Sequence, residues 1–271
     1  MTFSAWLATM FRAPPPDDPQ APAMTMEPIR SPGDPMPADA VSPMPVHAIG
    51  DPDDKMTMAL VKACWPACVS PASWPEALSA AFHRFDITTP HDRAAFMAVC
   101  AQESGQGNVL VENLNYSAKA LVAMFSAFAS KPALADHYGR TATHPANQEA
   151  IGNIAYGGRM GNGPTDGYAN RGAGLIQTTG AANMKAGAKH FGLTVESYRD
   201  WLKTPAGAAM GSALYWSQNG LSAYAGKASA AGFRRLSGAV NRGNPNLEPV
   251  DWPARLAHYD RCRRAFGLAV L

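Results

Sequence analysis

The stretch Thr89-Pro90-His91-Asp92-Arg93-Ala94-Ala95-Phe96-Met97-Ala98-Val99-Cys100-Ala101-Gln102-Glu103-Ser104-Gly105 decides how this chain is read. Thr89 carries the hydroxyl of an N-cap, Pro90 suits the first helical position, and Asp92 favours the positive end of the helix dipole. Phe96, Met97, Val99 and Cys100 continue the helix, and Ser104-Gly105 stops it. Glu103 follows Cys100 by three residues, Val99 by four and Phe96 by seven, so it should project from the apolar stripe near the helix end. Desolvation there disfavours the charged carboxylate, and the negative end of the helix pushes the same way. A general acid working near neutral pH needs those conditions. A carboxylate that closes a helix corner and faces water is the other reading of the same spacing.

Nine residues on stands Glu112, after Gly105-Gln106-Gly107-Asn108 and before Asn113-Leu114-Asn115-Tyr116. The glycines can turn the chain so that Glu112 faces Glu103 across a groove. Two carboxylates flanking a groove are what glycoside hydrolysis uses, one protonating the departing oxygen and the other activating water or attacking.

Helical patterning extends along most of the remaining chain. Helices are expected over 56–67, from Trp74 through Phe82, and over 115–128, 180–191, 194–203, 205–218, 228–238 and 252–265. Between Asp136 and Gly180 a run of glycines interrupts any long element, and an unstructured stretch of this length is best explained as the floor of a ligand cleft. The architecture is read as mainly α, with a small β-hairpin allowed in the glycine-rich segment.

The chain of 271 residues has a net charge of only +2, but the halves differ. Residues 1–54 hold eight acidic residues and two arginines, which leaves the remainder strongly cationic. Eleven prolines between Pro14 and Pro45, with few large apolar residues, make 1–54 a disordered acidic, Pro-rich extension, and the folded domain is expected over 55–271. A cationic domain favours anionic partners such as bacterial wall polymers. Arg234-Arg235 and Arg261, Arg263 and Arg264 are read as a solvated helix face, with long-range attraction to the wall as the alternative. The apolar run Phe3–Phe11 is too short to span a membrane and lacks a basic segment before it, so neither a signal peptide nor stable membrane insertion is expected. Cys64, Cys68, Cys100 and Cys262 and the scattered histidines lack metal-ligand spacing, so no metal and no cofactor are expected. Buried thiols are the default reading of the cysteines, and a Cys64–Cys68 bridge is the alternative.

Several ordered segments together resemble the family 19 glycoside hydrolases, the plant-type chitinases and related phage endolysins, more closely the endolysins. They are Ile87-Thr88-Thr89-Pro90, Ala101-Gln102-Glu103-Ser104-Gly105, Val111-Glu112-Asn113-Leu114-Asn115-Tyr116-Ser117, Ala155-Tyr156-Gly157-Gly158-Arg159-Met160-Gly161-Asn162-Gly163, Gly174-Leu175-Ile176-Gln177-Thr178-Thr179-Gly180 and Val240-Asn241-Arg242-Gly243. The resemblance implies a lysozyme-like, two-lobed helical domain whose hairpin, if formed, lines the cleft. It implies Glu103 as general acid, Glu112 as general base and Thr179 as the hydroxyl that helps hold the attacking water. The implied reaction inverts the anomeric carbon, with the carboxylates roughly 6.5–9.5 Å apart to admit water. Gln177, Asn183 and Asn241 match cleft residues, and Tyr156, Arg159 and Asn162 fall in the segment resembling the substrate loop. Each also has a structural reading: Gln177 and Asn183 as partners of buried backbone, Arg159 as an ion-pair partner of a glutamate, Tyr156 as ordinary core. The chain departs from the endolysin pattern at Arg171-Gly172-Ala173-Gly174, where Ala173 stands in place of a second arginine.

The expected activity is hydrolysis of β-1,4 bonds between the amino sugars of peptidoglycan, with chitin as the alternative substrate. A non-catalytic wall-binding module is the reading from a different class. The expected partner is the peptidoglycan glycan strand, not nucleic acid, and the expected state is a monomer. Synthesis in the cytoplasm without a clear signal peptide and action at the cell wall or periplasm are expected. The extension 1–54 could then serve a delivery partner, which would make the enzyme a delivered antibacterial effector.

Overall fold

The computed structural model describes residues 55–271; the extension 1–54 and its apolar run lie outside the described residues. Thirteen α-helices are formed among the described residues. The first three, α1 (Met58–Cys64), α2 (Pro75–Arg84) and α3 (Pro90–Glu103), are followed by four around a second centre. These are α4 (Ala118–Met124), α5 (Ser126–Ala129), α6 (Pro132–Tyr138) and α7 (Gln148–Tyr156). After the glycine-rich segment come α8 (Ala181–Phe191), α9 (Val195–Trp201), α10 (Pro205–Gln218), α11 (Ser222–Ala225), α12 (Ala230–Arg242) and α13 (Trp252–Ala265). The mainly α expectation holds. The hairpin is reduced to isolated antiparallel bridges, Val111 with Ala173 and Ala173 with Thr178, and no longer strand forms among the described residues.

Helix α3 starts as its sequence dictates: the Thr89 side chain accepts from the Asp92 amide at 3.1 Å, Pro90 opens the first turn, and Ser104 closes the last. Its expected single apolar stripe is exceeded, because every residue from Asp92 to Ala101 is buried. A helix surrounded on all sides belongs to the centre of a core, whatever its pattern suggests. Its buried polar residues near the N-terminus find internal partners. Asp92 accepts from the Trp216 indole at 2.9 Å, and Arg93 donates to the Ile87 carbonyl at 2.9 Å.

Around α3 packs the larger core, with Trp65, Leu78 and Phe82 on one side and Trp216, Phe233, Leu236 and Tyr259 on the other. Phe96 meets both Phe82 and Trp216 edge-on, at ring separations of 5.2 and 5.3 Å. Each such side chain, fully buried, contributes on the order of 1.5–3 kcal/mol. A second core forms separately from Leu114, Tyr116, Leu121, Phe125, Phe128, Ile151 and Tyr156. These two cores correspond to the two lobes expected from the resemblance, residues 104–114 pass from one to the other, and a smaller third cluster gathers Ala173, Met184, Ala188, Tyr198 and Leu202.

Two expectations need correction. The segment 136–180 is not a continuous loop, because α6 ends in it and α7 forms within it, capped by Asn147, whose side chain accepts from the Ala150 amide at 3.0 Å. The glycines masked a helix whose Gly152 is small for a packing reason: a Cβ there would lie 2.8 Å from the Tyr168 backbone. Nor are the late arginines one solvated face. Arg234, Arg235 and Arg264 are exposed, but Arg263 is buried and donates to the Ala269 carbonyl at 2.6 Å. All four cysteines are free thiols; Cys64, Cys100 and Cys262 are buried and Cys68 is partly so, which removes the bridge.

Candidate active site

Glu103 lies at the end of α3 with its side chain fully buried. Its Oε1 accepts from Arg255 of α13 at 2.9 Å, an ion pair in which both partners are buried. Its Oε2 has no partner. Burial pushes the Glu103 carboxyl up to about 7, and the Arg255 guanidinium opposes that rise without cancelling it. The direction agrees with the sequence reading and so does its chief cause, desolvation. The opposing charge was not foreseen.

Arg255 is therefore the Glu103 partner that the sequence reading missed. A signal was present: Arg255, Tyr259 and Cys262 follow one another at helical spacing, and all three are buried. An arginine on the apolar stripe of a helix needs a buried acceptor. Arg255 also donates through Nε to the Val250 carbonyl at 2.8 Å, and the Val250 amide donates to Asn241 Oδ1 at 2.8 Å. That chain of bonds brings Asn241 to the Glu103 end of the site, with its Nδ2 buried and unpartnered.

Glu112 is buried as well, in the segment between the lobes. The Tyr156 hydroxyl, from the end of α7, donates to Oε1 at 2.6 Å, and the Gly172 amide donates to Oε2 at 3.2 Å. Burial raises its pKa, while these two donors and the nearby Arg171 charge favour the ionised form. Tyr156 is thus both core and site, since it packs in the second lobe and holds the carboxylate. Gly172 lets these groups approach closely: a Cβ there would stand 2.8 Å from Gln177 Oε1, displacing that amide, and 3.4 Å from Glu112 Cβ.

Gln177 sits across Gly172 from Glu112. Its backbone is in the left-handed region at φ 57°, a conformation that costs free energy in a non-glycine residue and collects at functional sites. Its Nε2 donates to the carbonyls of Val109 and Gly174 at 3.1 and 2.9 Å, and its Oε1 is buried without a partner. Thr179 donates to the Gln177 carbonyl at 2.9 Å and keeps its acceptor lone pairs. Asn183, exposed on α8, donates to the Thr179 carbonyl at 2.9 Å.

Two expected site residues stand apart from this cluster. Asn162 uses both ends on the fold, donating to the Tyr156 carbonyl at 2.9 Å and accepting from the Ala181 amide at 2.8 Å and from Asn170 at 3.1 Å. It braces the turn that carries Tyr156. Arg159 is exposed, with a 3.4 Å bond to the Ala155 carbonyl, and is not the ion-pair partner of either glutamate. Neither of two surface clefts is lined by Glu103 or Glu112. One, of about 250 Å³, includes Val111, Arg171, Ala173 and Arg199; the other, of about 510 Å³, includes Phe191 and Trp201. Both glutamates are covered by protein.

The arrangement amounts to a helical scaffold holding two buried carboxyls, each in a different electrostatic setting. No protein-family model matches the chain. It is 36% identical over 124 residues to a glycosyl hydrolase family 19 domain-containing protein of Haemophilus influenzae, a match covering 45% of this chain and 59% of that protein. The chain thus spans about three-fifths of the relative's length. A structural comparison finds a bacterial family 19 chitinase at 16% identity, with a TM-score of 0.48 over 79% of this chain and 96% of that one. Over the 124 residues of the sequence match the chain is similar to a protein with a glycosyl hydrolase family 19 domain.

Proposed function

We propose that this protein is a glycoside hydrolase that cuts β-1,4 bonds between the amino sugars of peptidoglycan, with inversion at the anomeric carbon. The observation that carries this reading is Glu103: a fully buried carboxyl, held near pKa 7 by desolvation, with one oxygen paired to Arg255 and the other unengaged. The free oxygen is the one that can carry the proton. Glu103 donates that proton to the departing glycosidic oxygen while the C–O bond breaks. Glu112 takes a proton from the water that forms the new bond at the anomeric carbon. The Tyr156 hydroxyl and the Gly172 amide favour the ionised Glu112 that a base requires. Unpartnered amide atoms of Gln177 and Asn241 supply an acceptor and a donor for sugar hydroxyl and acetamido groups.

Because both carboxyls are covered, the cycle includes an opening step, and closure over the sugar excludes bulk water and strengthens each electrostatic contact. Among the described residues no helix is long and apolar enough to cross a membrane. A monomer acting at the cell wall or in the periplasm, delivered with the help of residues 1–54, completes the reading.

The test is clearing of purified peptidoglycan by the wild type beside Glu103→Gln, with mass spectrometry of the products. Clearing by the wild type alone, with new saccharide ends, supports the reading and names the bond. Equal clearing by both proteins removes Glu103 as the acid. Cleavage of chitin oligomers without clearing moves the substrate to chitin, and binding without cleavage of either moves the protein to a wall-binding module.

A further inference from the structure

The cleft of about 250 Å³ is built, apart from Arg171, from residues that the proposed chemistry does not use. It lies between the segment 168–173 and α9. Tyr168, Arg171, Arg199 and Lys203 line it together with the carboxylates of Glu196 and Asp200, three cations against two anions, and Val111, Ala173 and Met184 form its apolar wall. Lys203 and Asp200 pair with each other at 2.6 Å, which cancels one charge of each sign. The Arg171 Cζ lies over the Tyr168 ring, 3.9 Å from its centre, and the guanidinium donates to the carbonyls of Tyr168 at 2.9 Å and Glu112 at 3.2 Å. Arg199 donates to the Asn170 side-chain oxygen at 3.1 Å. Among the described residues neither arginine has a carboxylate within ion-pair distance.

We propose that this cleft is a subsite for a carboxylate-bearing branch on the glycan, read by Arg199 together with Arg171. The inference rests on the glycoside hydrolase reading above and adds to it how an anionic strand is told from a neutral one. Planar guanidinium groups bind carboxylates in a fixed fork, and both are already oriented here by neutral acceptors, so little ordering remains to be done on binding. Val111, Ala173 and Met184 offer contact to small aliphatic groups next to the carboxylate. The short Ala173 side chain leaves this space open. A polymer of N-acetylglucosamine carries no carboxylate and leaves both guanidinium groups to water. Peptidoglycan carries carboxylates from two sources, the attached peptide and, once the peptide is removed, the lactyl group. The cleft also backs onto the pairing that holds the proposed base, because Val111 precedes Glu112 and Ala173 follows Gly172. An occupant therefore steadies Glu112 as it docks.

Arg199 is the residue to change, since Arg171 also holds the Glu112 carbonyl. Arg199→Gln keeps an amide donor for Asn170 and removes the charge. kcat and KM are measured on peptide-bearing strands, on the same strands stripped by an amidase, and on N-acetylglucosamine oligomers. The expected result is a rise in KM of about fivefold, the factor of an exposed ion pair at the upper end of its ordinary range. It is confined to carboxylate-bearing substrates, with kcat on the neutral oligomers unchanged. A rise on peptide-bearing strands alone assigns the peptide carboxylate, and a rise on stripped strands alone assigns the lactyl group. Arg199→Lys should recover part of the loss, and Glu196→Gln, which removes an opposing charge, should lower KM on the same substrates. An equal loss on all three substrates, or no change on any, overturns the subsite. Calorimetric binding of a soluble peptide-bearing disaccharide reads the same contrast without turnover. A wild type that binds the disaccharide through Arg199 but cleaves nothing refutes the hydrolase and not the subsite.

Discussion

Glu103→Gln preserves the shape of the side chain and deletes the proton it would donate, so it separates catalysis from packing. Loss of a positioned general acid is worth about 10²–10⁴ in rate, or about 3–5 kcal/mol of barrier. The same substitution has a thermodynamic signature. The folded protein holds the Glu103 carboxyl near pKa 7 against an ordinary value of 4.5, so between those values the folded state binds more protons than the unfolded chain. Stability from this group is complete below about pH 4.5 and is lost as pH rises through about 7. The total is on the order of 3 kcal/mol at the ordinary cost per pKa unit. Glutamine does not titrate, so the variant lacks this slope, and its stability relative to wild type rises between pH 5 and pH 8. Reducing-end release at pH 6 and thermal melts at pH 5 and 8 read the two effects separately. Activity within tenfold of wild type refutes the acid assignment, and parallel pH slopes for the two proteins refute the raised pKa.

Arg255→Met removes the charge that holds the Glu103 carboxyl down, so the alkaline limb of the activity profile, expected near pH 7, should move upward. The fold should lose on the order of 3–5 kcal/mol at alkaline pH, where the buried carboxylate stands alone, and less at pH 5; an unmoved limb in a pH–rate profile would count against the pair. Tyr156→Phe takes a hydrogen bond from ionised Glu112, which raises its pKa and should move the acid limb upward, so that activity falls more at pH 5 than at pH 7. Chemical denaturation should register a loss of about 1.5–3 kcal/mol for this bond to a charged group. Gly172→Ala introduces a methyl 2.8 Å from Gln177 Oε1 and 3.4 Å from Glu112 Cβ, and should lower kcat at least tenfold with little change in secondary structure by circular dichroism.

The sequence by itself determined the elements whose instructions are local. Thr89, Pro90 and Ser104 define α3 to the residue, and the caps at Thr204 and Ser229 likewise lie beside the helices they start. Each cap is a bond across three residues, legible to anyone reading along the chain. Where glycine served packing and not turning, as at Gly152, the local signal misled and α7 went unread. The two carboxyls were legible as candidates through their spacing and their neighbours. Their electrostatics were not: Arg255 meets Glu103 across 152 positions of sequence, and Tyr156 meets Glu112 across 44. Tertiary structure alone decided that Arg263 is buried, that Arg159 stays at the surface, and that Arg171 and Arg199 share one cleft. The physical reason is common to these cases. Helix caps and stops are short-range hydrogen bonds written in adjacent residues, whereas a shifted pKa is set by desolvation and by charges that only the packing of distant helices brings together.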